Sequence, residues 1–160
     1  MKKGYTLIEL LVVITITGVL MAIGLSGWTT YRNRRTLDEI GLTLVSSLRQ
    51  VRSKAVRGEK PTTIMCTCSS LDGYRVEEDS GNLEVVPVCN GSQLIDPSCQ
   101  DIIVINDQAD WELSTSFMFK SLTGYTDESG PFYVNLTYHD IGGTVSISNF
   151  GAEVKWQRSN

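Results

Sequence analysis

Histidine, proline and catalytic motifs are scarce in this 160-residue chain. The scarcity of histidine and of catalytic motifs argues against an enzyme, and the scarcity of proline permits a long helix. His139 is the only histidine, and no serine-glycine elbow, glycine-rich phosphate loop or zinc-binding helix accompanies it. We therefore expect no enzyme activity, no metal and no cofactor, and we interpret His139 as a surface residue near a turn. No EF-hand spacing occurs, so calcium binding by the acidic loops near residues 72–79 and 96–110 stays only an alternative.

Proline is absent before Pro61, which permits one long helix from Tyr5 to about Val56. At 1.5 Å per residue such a helix is about 78 Å long. Apolar residues spaced three and four apart predict one buried face in its second half. They are Leu37, Ile40, Leu44, Leu48, Val51 and Ala55. Gly58 and Pro61 are expected to end the helix.

Ionisable side chains are almost missing from the first half of that helix. Between Thr6 and Tyr31 only Glu9 can ionise. The apolar run from Leu7 to Trp28 has 22 residues, close to the roughly 20 that a helix needs to cross about 30 Å of hydrocarbon. This segment is predicted to span a membrane.

Charge changes sign along the rest of the chain. Residues 28–60 contain eight basic and three acidic side chains, a net charge of +5, whereas residues 61–160 contain four basic and fourteen acidic ones, a net charge of −10. A basic stalk therefore precedes an acidic head. The basic side chains either form a solvated helix face or contact acidic heads of neighbouring subunits.

The first four residues, Met1–Gly4, have the layout of an export signal: a short positive segment before an apolar run. One alternative is a secretory signal removed near Ala22 or Gly24. Another is a signal anchor, with Lys2 and Lys3 on the cytoplasmic side.

Neither alternative explains Glu9. A carboxylate inside an apolar membrane segment costs about 2.5–3.5 kcal/mol and usually has a partner. Cleavage after Gly4 would create one, because it frees an amino group at Tyr5 in the same or a neighbouring chain.

The segment Gly4-Tyr5-Thr6-Leu7-Ile8-Glu9-Leu10-Leu11-Val12-Val13-Ile14 resembles the class III signal of type IV pilins and type II secretion pseudopilins. The resemblance implies cleavage between Gly4 and Tyr5 by prepilin peptidase, N-methylation of Tyr5, and alignment of subunits by Glu9. It further implies other pilin or pseudopilin subunits, an inner-membrane assembly platform and membrane lipid as partners. The expected location is the bacterial inner membrane, single-pass, with the head on the periplasmic or extracellular side, and then the filament.

A second, narrower resemblance covers Leu48–Gly58, which is similar to the late-helix motif of GspH/FimT-type minor pilins and pseudopilins, with departures at Val51 and Lys54. It implies a structural subunit that initiates or caps a type IV pilus or type II secretion pseudopilus. Pilus cannot be separated from secretion system by sequence.

The alternative function is DNA capture by a minor pilin of a DNA-uptake pilus. The acidic head would repel DNA on average, because affinity depends on the number of phosphates neutralised. Lys155, Trp156 and Arg158 are the local exception, since they mix basic and aromatic groups.

These patterns predict an α+β chain in which an antiparallel sheet packs on the apolar stripe of the helix. The predicted segments are a leader at 1–4, a membrane or filament-core helix at 5–28, an amphipathic stalk at 29–58 and a β-rich head at 61–160. Alternating runs predict strands at 62–68, 74–78, 83–88, 102–106, 112–120, 132–138, 144–148 and 152–156. Turns are predicted at Asp72-Gly73, Ser80-Gly81-Asn82, Gly142-Gly143 and Phe150-Gly151.

Four cysteines in an exported head favour two disulfides over a zinc site. Three pairings are open. Cys66 and Cys68 share one face of a predicted strand, and Cys89 and Cys99 flank a polar loop, so each strand cysteine is favoured to pair with one loop cysteine.

Gly18, Gly24 and Gly27 weaken the membrane half of the helix. Either they let neighbouring helices pack closely, or, as the resemblance to pilins implies, the helix unwinds there in the filament.

Overall fold

The computed structural model describes residues 6–61, 66, 68–105, 109–126, 130–148 and 153–159, without the side chains of residues 23–26. The chain divides into two compact units, Met1–Thr36 and Leu37–Asn160. Helix α1 (Leu7–Arg57) supplies the described residues of the first unit from Leu7 onward, and its second half begins the second unit. Antiparallel strands follow the helix in that second unit. The chain is an α+β protein with one long N-terminal helix, as predicted.

Helix α1 ends in a glycine cap. Gly58 adopts a left-handed conformation with φ 60°. Its N–H donates to the Ala55 carbonyl at 2.9 Å, and the Glu59 N–H donates to the Lys54 carbonyl at 3.0 Å. This pair of bonds is a Schellman motif, in which a residue without a β-carbon costs least. The prediction that Gly58 ends the helix is confirmed.

The apolar stripe of the stalk is buried. All six residues that the spacing identified are at most 9% exposed, and Val45 joins them at 4%. Because these side chains recur every three or four residues, they lie on one side of α1 and form its contribution to the core of the second unit.

The first sheet, sheet A, has five strands: β1 (Leu71–Asp79), β2 (Asn82–Cys89), β3 (Ser92–Gln93), β4 (Asp101–Ile103) and β6 (Phe117–Lys120). Strand β2 is central, because β1 pairs along its length on one side while β3 and β4 pair with successive parts of it. The loop between β3 and β4 contains a short 3-10 turn, Pro97–Cys99.

The second sheet, sheet B, has four strands in the order β5 (Asp110–Leu113), β7 (Phe132–Tyr138), β8 (Ile141–Ile147) and β9 (Val154–Arg158). Buried and exposed residues alternate strictly along β7 up to its last residue, which is half-buried. One face of sheet B therefore contributes to the core. The predicted terminal hairpin corresponds to β8 and β9.

Aromatic rings connect the two sheets. Phe117 of sheet A stacks on Phe132 of sheet B with ring centroids 4.9 Å apart, and Phe119 meets Phe117 edge-on at 5.3 Å. All three rings are at most 2% exposed, so they form one shared core.

Three predictions about strands need correction. The expected single strand at 112–120 is two strands in different sheets, because the chain bends at Ser114, whose N–H donates to the Tyr133 carbonyl, before joining sheet A at Phe117. The expected single sheet is two sheets. Cys66 and Cys68 are not in a strand, and the remainder of 62–68 lies outside the described residues.

Two predicted turns are also wrong. Asp72-Gly73 lies within β1 at a register shift, and Gly142-Gly143 lies within β8. The β7–β8 turn instead consists of His139 and Asp140, both with positive φ, as a two-residue type I′ hairpin requires. The predicted turn at Ser80-Gly81 is confirmed, and Phe150-Gly151 lies outside the described residues.

Candidate assembly site on the N-terminal helix

A reciprocal pair of hydrogen bonds starts helix α1. The Thr6 N–H donates to the Glu9 carboxylate at 2.9 Å, and the Thr6 hydroxyl donates to the same oxygen at 2.8 Å. The Glu9 N–H is 3.4 Å from the Thr6 hydroxyl oxygen. This is a capping box, which satisfies N–H groups that otherwise have no partner at the start of a helix. Glu9 therefore has an intrachain partner that the sequence analysis did not assign.

The expected partner of Glu9 was the new amino group at Tyr5. Gly4 and Tyr5 lie outside the described residues, so cleavage, N-methylation and any contact with that amino group stay predictions. A carboxylate can accept several hydrogen bonds. Glu9 can therefore bind Thr6 and a second partner at the same time.

The surface that surrounds Glu9 is apolar and uncovered. Every side chain from Thr6 to Ala22 is exposed, including Leu7 at 84% and Leu10 at 58%. The hydroxyls of Thr15 and Thr17 donate to backbone carbonyls one turn back, of Val12 and Val13, which removes their need for an outside partner. Judged by length and composition, α1 could cross a membrane, and among the described residues it is the one helix that could.

Gly18 and Gly27 have no packing role within the described part of the chain. A β-carbon at Gly18 or Gly27 would meet no atom within 4 Å. The helix runs through both positions without interruption. Close packing against another helix and unwinding in a filament therefore both stay predictions.

Two disulfides form in the head: Cys66 with Cys99 and Cys68 with Cys89. Their Cα atoms are 5.7 and 5.6 Å apart, in the usual range for the bond. Each bond joins one member of the first cysteine pair to one of the second, the pairing that the sequence favoured.

Trp156 connects the terminal hairpin to helix α1 through a hydrogen bond and close packing. Its indole Nε1–H donates to the Asp38 carboxylate at 3.0 Å, and Arg158 donates to the other oxygen of Asp38 at 2.7 Å. The indole ring lies between Gly41 of α1 and Gly143 of β8, where a β-carbon would approach it to 2.4 and 2.0 Å respectively. We call these five residues the Trp156 clasp.

The clasp gives Trp156 and Arg158 structural partners. Lys155 pairs with Glu153 at 2.7 Å on the exposed side of β9. All three residues proposed for DNA contact thus have partners within the chain. DNA binding stays a prediction without a supporting contact.

Carboxylates of the two predicted acidic loops are also engaged, although residues 72–79 lie in strand β1 and not in a loop. Asp96 accepts from the N–H and hydroxyl of Ser98, which lowers the pKa of Asp96, and Asp72 accepts from the Gly91 N–H at 2.6 Å. Within the described ranges, no group of three or more His, Cys, Asp or Glu side chains could hold a metal ion. His139 is exposed and its ring meets that of Tyr138.

Tyr74 is the one tyrosine of the described chain with a strongly shifted pKa. It is 5% exposed, and its hydroxyl donates to the Glu59 carbonyl just beyond the helix. Burial, followed by the nearby Glu59 and Asp101 carboxylates, raises the pKa of Tyr74 to about 12.

Sequence reasoning missed Thr6 and Asp38. Thr6 had a readable signal, since Thr-x-x-Glu before an apolar run is the capping-box pattern. Asp38 had none, because its partners Trp156 and Arg158 lie 118 and 120 residues away.

Residues 1–25 match the family model described as the prokaryotic N-terminal methylation motif. No solved structure matches the chain. The chain carries the type IV pilin signature, and its long helix followed by antiparallel sheets fits a pilin-like fold. The match does not extend to the residues of the GspH/FimT resemblance.

Proposed function

We propose that this chain is a non-enzymatic filament subunit of the type IV pilin class, made as a precursor and assembled through its N-terminal helix. The observation that carries the proposal is the methylation motif at residues 1–25, which covers most of the uncovered apolar first half of α1, where Glu9 is the single carboxylate. Within that class, the similarity of Leu48–Gly58 supports a minor pilin or pseudopilin that initiates or caps the filament.

In this proposal prepilin peptidase cuts between Gly4 and Tyr5, and Tyr5 is N-methylated. Residues 7–28 hold the subunit in the inner membrane, with the head on the periplasmic or extracellular side. The subunit then moves from lipid into a bundle of similar helices. Partner subunits and the inner-membrane assembly platform complete the set of contacts.

The capping box makes the role of Glu9 testable. In an apolar bundle the carboxylate is costly unless it meets a positive charge, and an amino group on a neighbouring subunit supplies one. Thr6 alone supplies hydrogen bonds but no charge. Glu9 is therefore expected to serve its own helix in the free subunit and the neighbouring subunit in the filament.

The first experiment is intact mass and N-terminal sequencing of the chain recovered from membranes of cells with and without prepilin peptidase. We expect a peptidase-dependent chain that begins at methylated Tyr5. A chain that still begins at Met1, or one cut near Gly24, would remove the basis for filament assembly.

Three variants then separate charge from capping. Glu9→Gln keeps the capping box, since glutamine also serves there, but loses the charge. Thr6→Ala keeps the charge and loses the cap, and Thr15→Val is the matched control inside the same apolar run. We expect Glu9→Gln to lower the amount of subunit recovered in filaments more than tenfold. The variant leaves the amino group of the neighbouring subunit without its partner, and an unpaired buried charge costs about 3–5 kcal/mol. Normal assembly of Glu9→Gln with failure of Thr6→Ala would show that capping alone matters.

A further inference from the structure

A stripe of two aromatic and two basic side chains follows the apolar run of α1. The stripe consists of Trp28, Tyr31, Arg32 and Arg35, and we call it the interfacial stripe. All four side chains are exposed, with Trp28 at 64% and Tyr31 at 56%. They belong to the first unit of the chain.

Helical geometry puts the four residues on one side. At about 100° per residue they occupy about 100° of the helix circumference. Contacts agree with that placement: the Trp28 and Tyr31 ring centroids are 6.3 Å apart, and an Arg35 guanidinium nitrogen lies 3.4 Å from the Tyr31 hydroxyl. Arg34 is exposed as well, but it lies about 120° from Trp28 around the helix.

The position along the helix fits the boundary of a membrane. If residues 7–28 fill the hydrocarbon, Trp28 lies at its edge, and Arg32 and Arg35 lie about 6 and 10 Å beyond at 1.5 Å per residue. The polar layer on each side of a bilayer is about 5–7 Å thick, so both guanidinium groups can reach it. Tryptophan and tyrosine are the residues that concentrate at that depth.

The positive charge of the interfacial stripe is unusual for the outer side of a membrane. Basic residues favour the cytoplasmic side, where Lys2 and Lys3 of the precursor would lie, yet three arginines follow the span at positions 32, 34 and 35. A phosphate-bearing surface would compensate them. Arginine suits it, because its planar donors match phosphate oxygens in pairs.

We propose that the interfacial stripe binds the phosphate headgroups of anionic phospholipids at the outer face of the membrane. The proposal rests on the proposed membrane span of residues 7–28. It gives the stripe a role before assembly: it fixes the depth and rotation of the subunit in the membrane, with Trp28 and Tyr31 at the hydrocarbon boundary and Arg32 and Arg35 on lipid phosphate.

The test uses the full mature chain in nanodiscs of equal parts phosphatidylglycerol and phosphatidylcholine. Native mass spectrometry measures the ratio of the two lipids retained on the protein. We expect phosphatidylglycerol to be preferred, and Arg32→Gln and Arg35→Gln each to lower the ratio about fivefold, the effect of one basic residue near an anionic surface. Arg34→Gln is the matched control and should change the ratio less than twofold. Excess inorganic phosphate should not displace the bound lipid if the stripe binds phosphate as part of a membrane lipid and not as the free ion.

Three results would overturn the proposal. An unchanged ratio in the Arg32→Gln/Arg35→Gln double variant removes the lipid site, and loss of self-association in that variant would then assign the stripe to an acidic head of a second copy. An equal fall of the lipid ratio in Arg34→Gln would show that the preference depends on net charge and not on the position of the arginines. Failure of the wild-type chain to enter nanodiscs refutes the proposed membrane span itself, a separate outcome from a failure of the stripe. Non-reducing peptide mapping of both disulfides checks that each variant is folded.

Discussion

Replacing Gly41 with alanine is expected to destabilise the head, although the same change normally stabilises a helix. Glycine inside a helix costs about 1 kcal/mol relative to alanine. At position 41 the new β-carbon would lie 2.4, 2.5 and 2.7 Å from Cδ2, Cε3 and Cε2 of Trp156. These distances are far below van der Waals contact.

The indole ring has little freedom to retreat. Asp38 holds its Nε1–H at 3.0 Å, and Gly143 lies against its other end. Overpacking of this kind costs about 1–3 kcal/mol. After subtraction of the gain in helix propensity, about 1 kcal/mol, Gly41→Ala should lower the free energy of unfolding by up to about 2 kcal/mol.

The assay is urea unfolding of the whole chain in detergent, followed by tryptophan emission, to which Trp111 of β5 contributes in every variant. Ser46→Ala, an exposed position of the same helix, is the control for propensity and should be neutral or slightly stabilising. In a Trp156→Ala background, Gly41→Ala should stabilise by up to about 1 kcal/mol, because the obstructing ring is gone. If Gly41→Ala stabilised the wild-type chain, the close contact with Trp156 would be wrong.

Two further predictions concern the head. Replacing either cysteine pair by serine should cost about 2–4 kcal/mol of unfolding free energy, with Cys66–Cys99 the larger because it spans 33 residues against 21 for Cys68–Cys89; a urea-unfolding loss below about 0.5 kcal/mol for either pair would contradict this. Tyr74 has a pKa of about 12 in the folded chain, against 10.0 for an unperturbed tyrosine. Its contribution to the free energy of unfolding is therefore complete below pH 10, where the phenol is neutral in the folded and the unfolded state. That contribution, on the order of 2 kcal/mol, is lost as the pH rises from 10 towards 12. Absorbance at 295 nm should show its late titration, Tyr74→Phe should remove that part of the pH dependence, and Tyr125→Phe, at a half-exposed site, should leave it unchanged.

The helix could be predicted well because its signals are local. Spacing of three and four residues identified the buried face from Leu37 to Ala55, and one glycine with a free left-handed conformation marked the end. The methylation motif is equally local, since a glycine, an aromatic residue and a carboxylate at fixed offsets are readable without a fold.

The head could be predicted only in part because its decisive contacts are distant in sequence. The run 112–120 reads as one strand by propensity, but its first residues pair with sheet B, Glu112 with Asn135, and its last residues pair with sheet A, where Phe117 pairs with Val76. Gly142-Gly143 reads as a turn by composition. In the fold, Gly143 is a strand residue that leaves space for Trp156, a contact that no local pattern encodes.

The nested disulfides also determine how the head responds to a pulling force. Strands β1, β2 and β3 all lie between Cys66 and Cys99, so a force applied along the chain passes across the covalent bridge and bypasses them. The 33-residue separation corresponds to about 110 Å of extended chain that stays hidden while the bridge is intact. A fully extended subunit is therefore shorter when oxidised than when reduced. Three of the five strands of sheet A keep their connectivity even when the rest of the head has been drawn out.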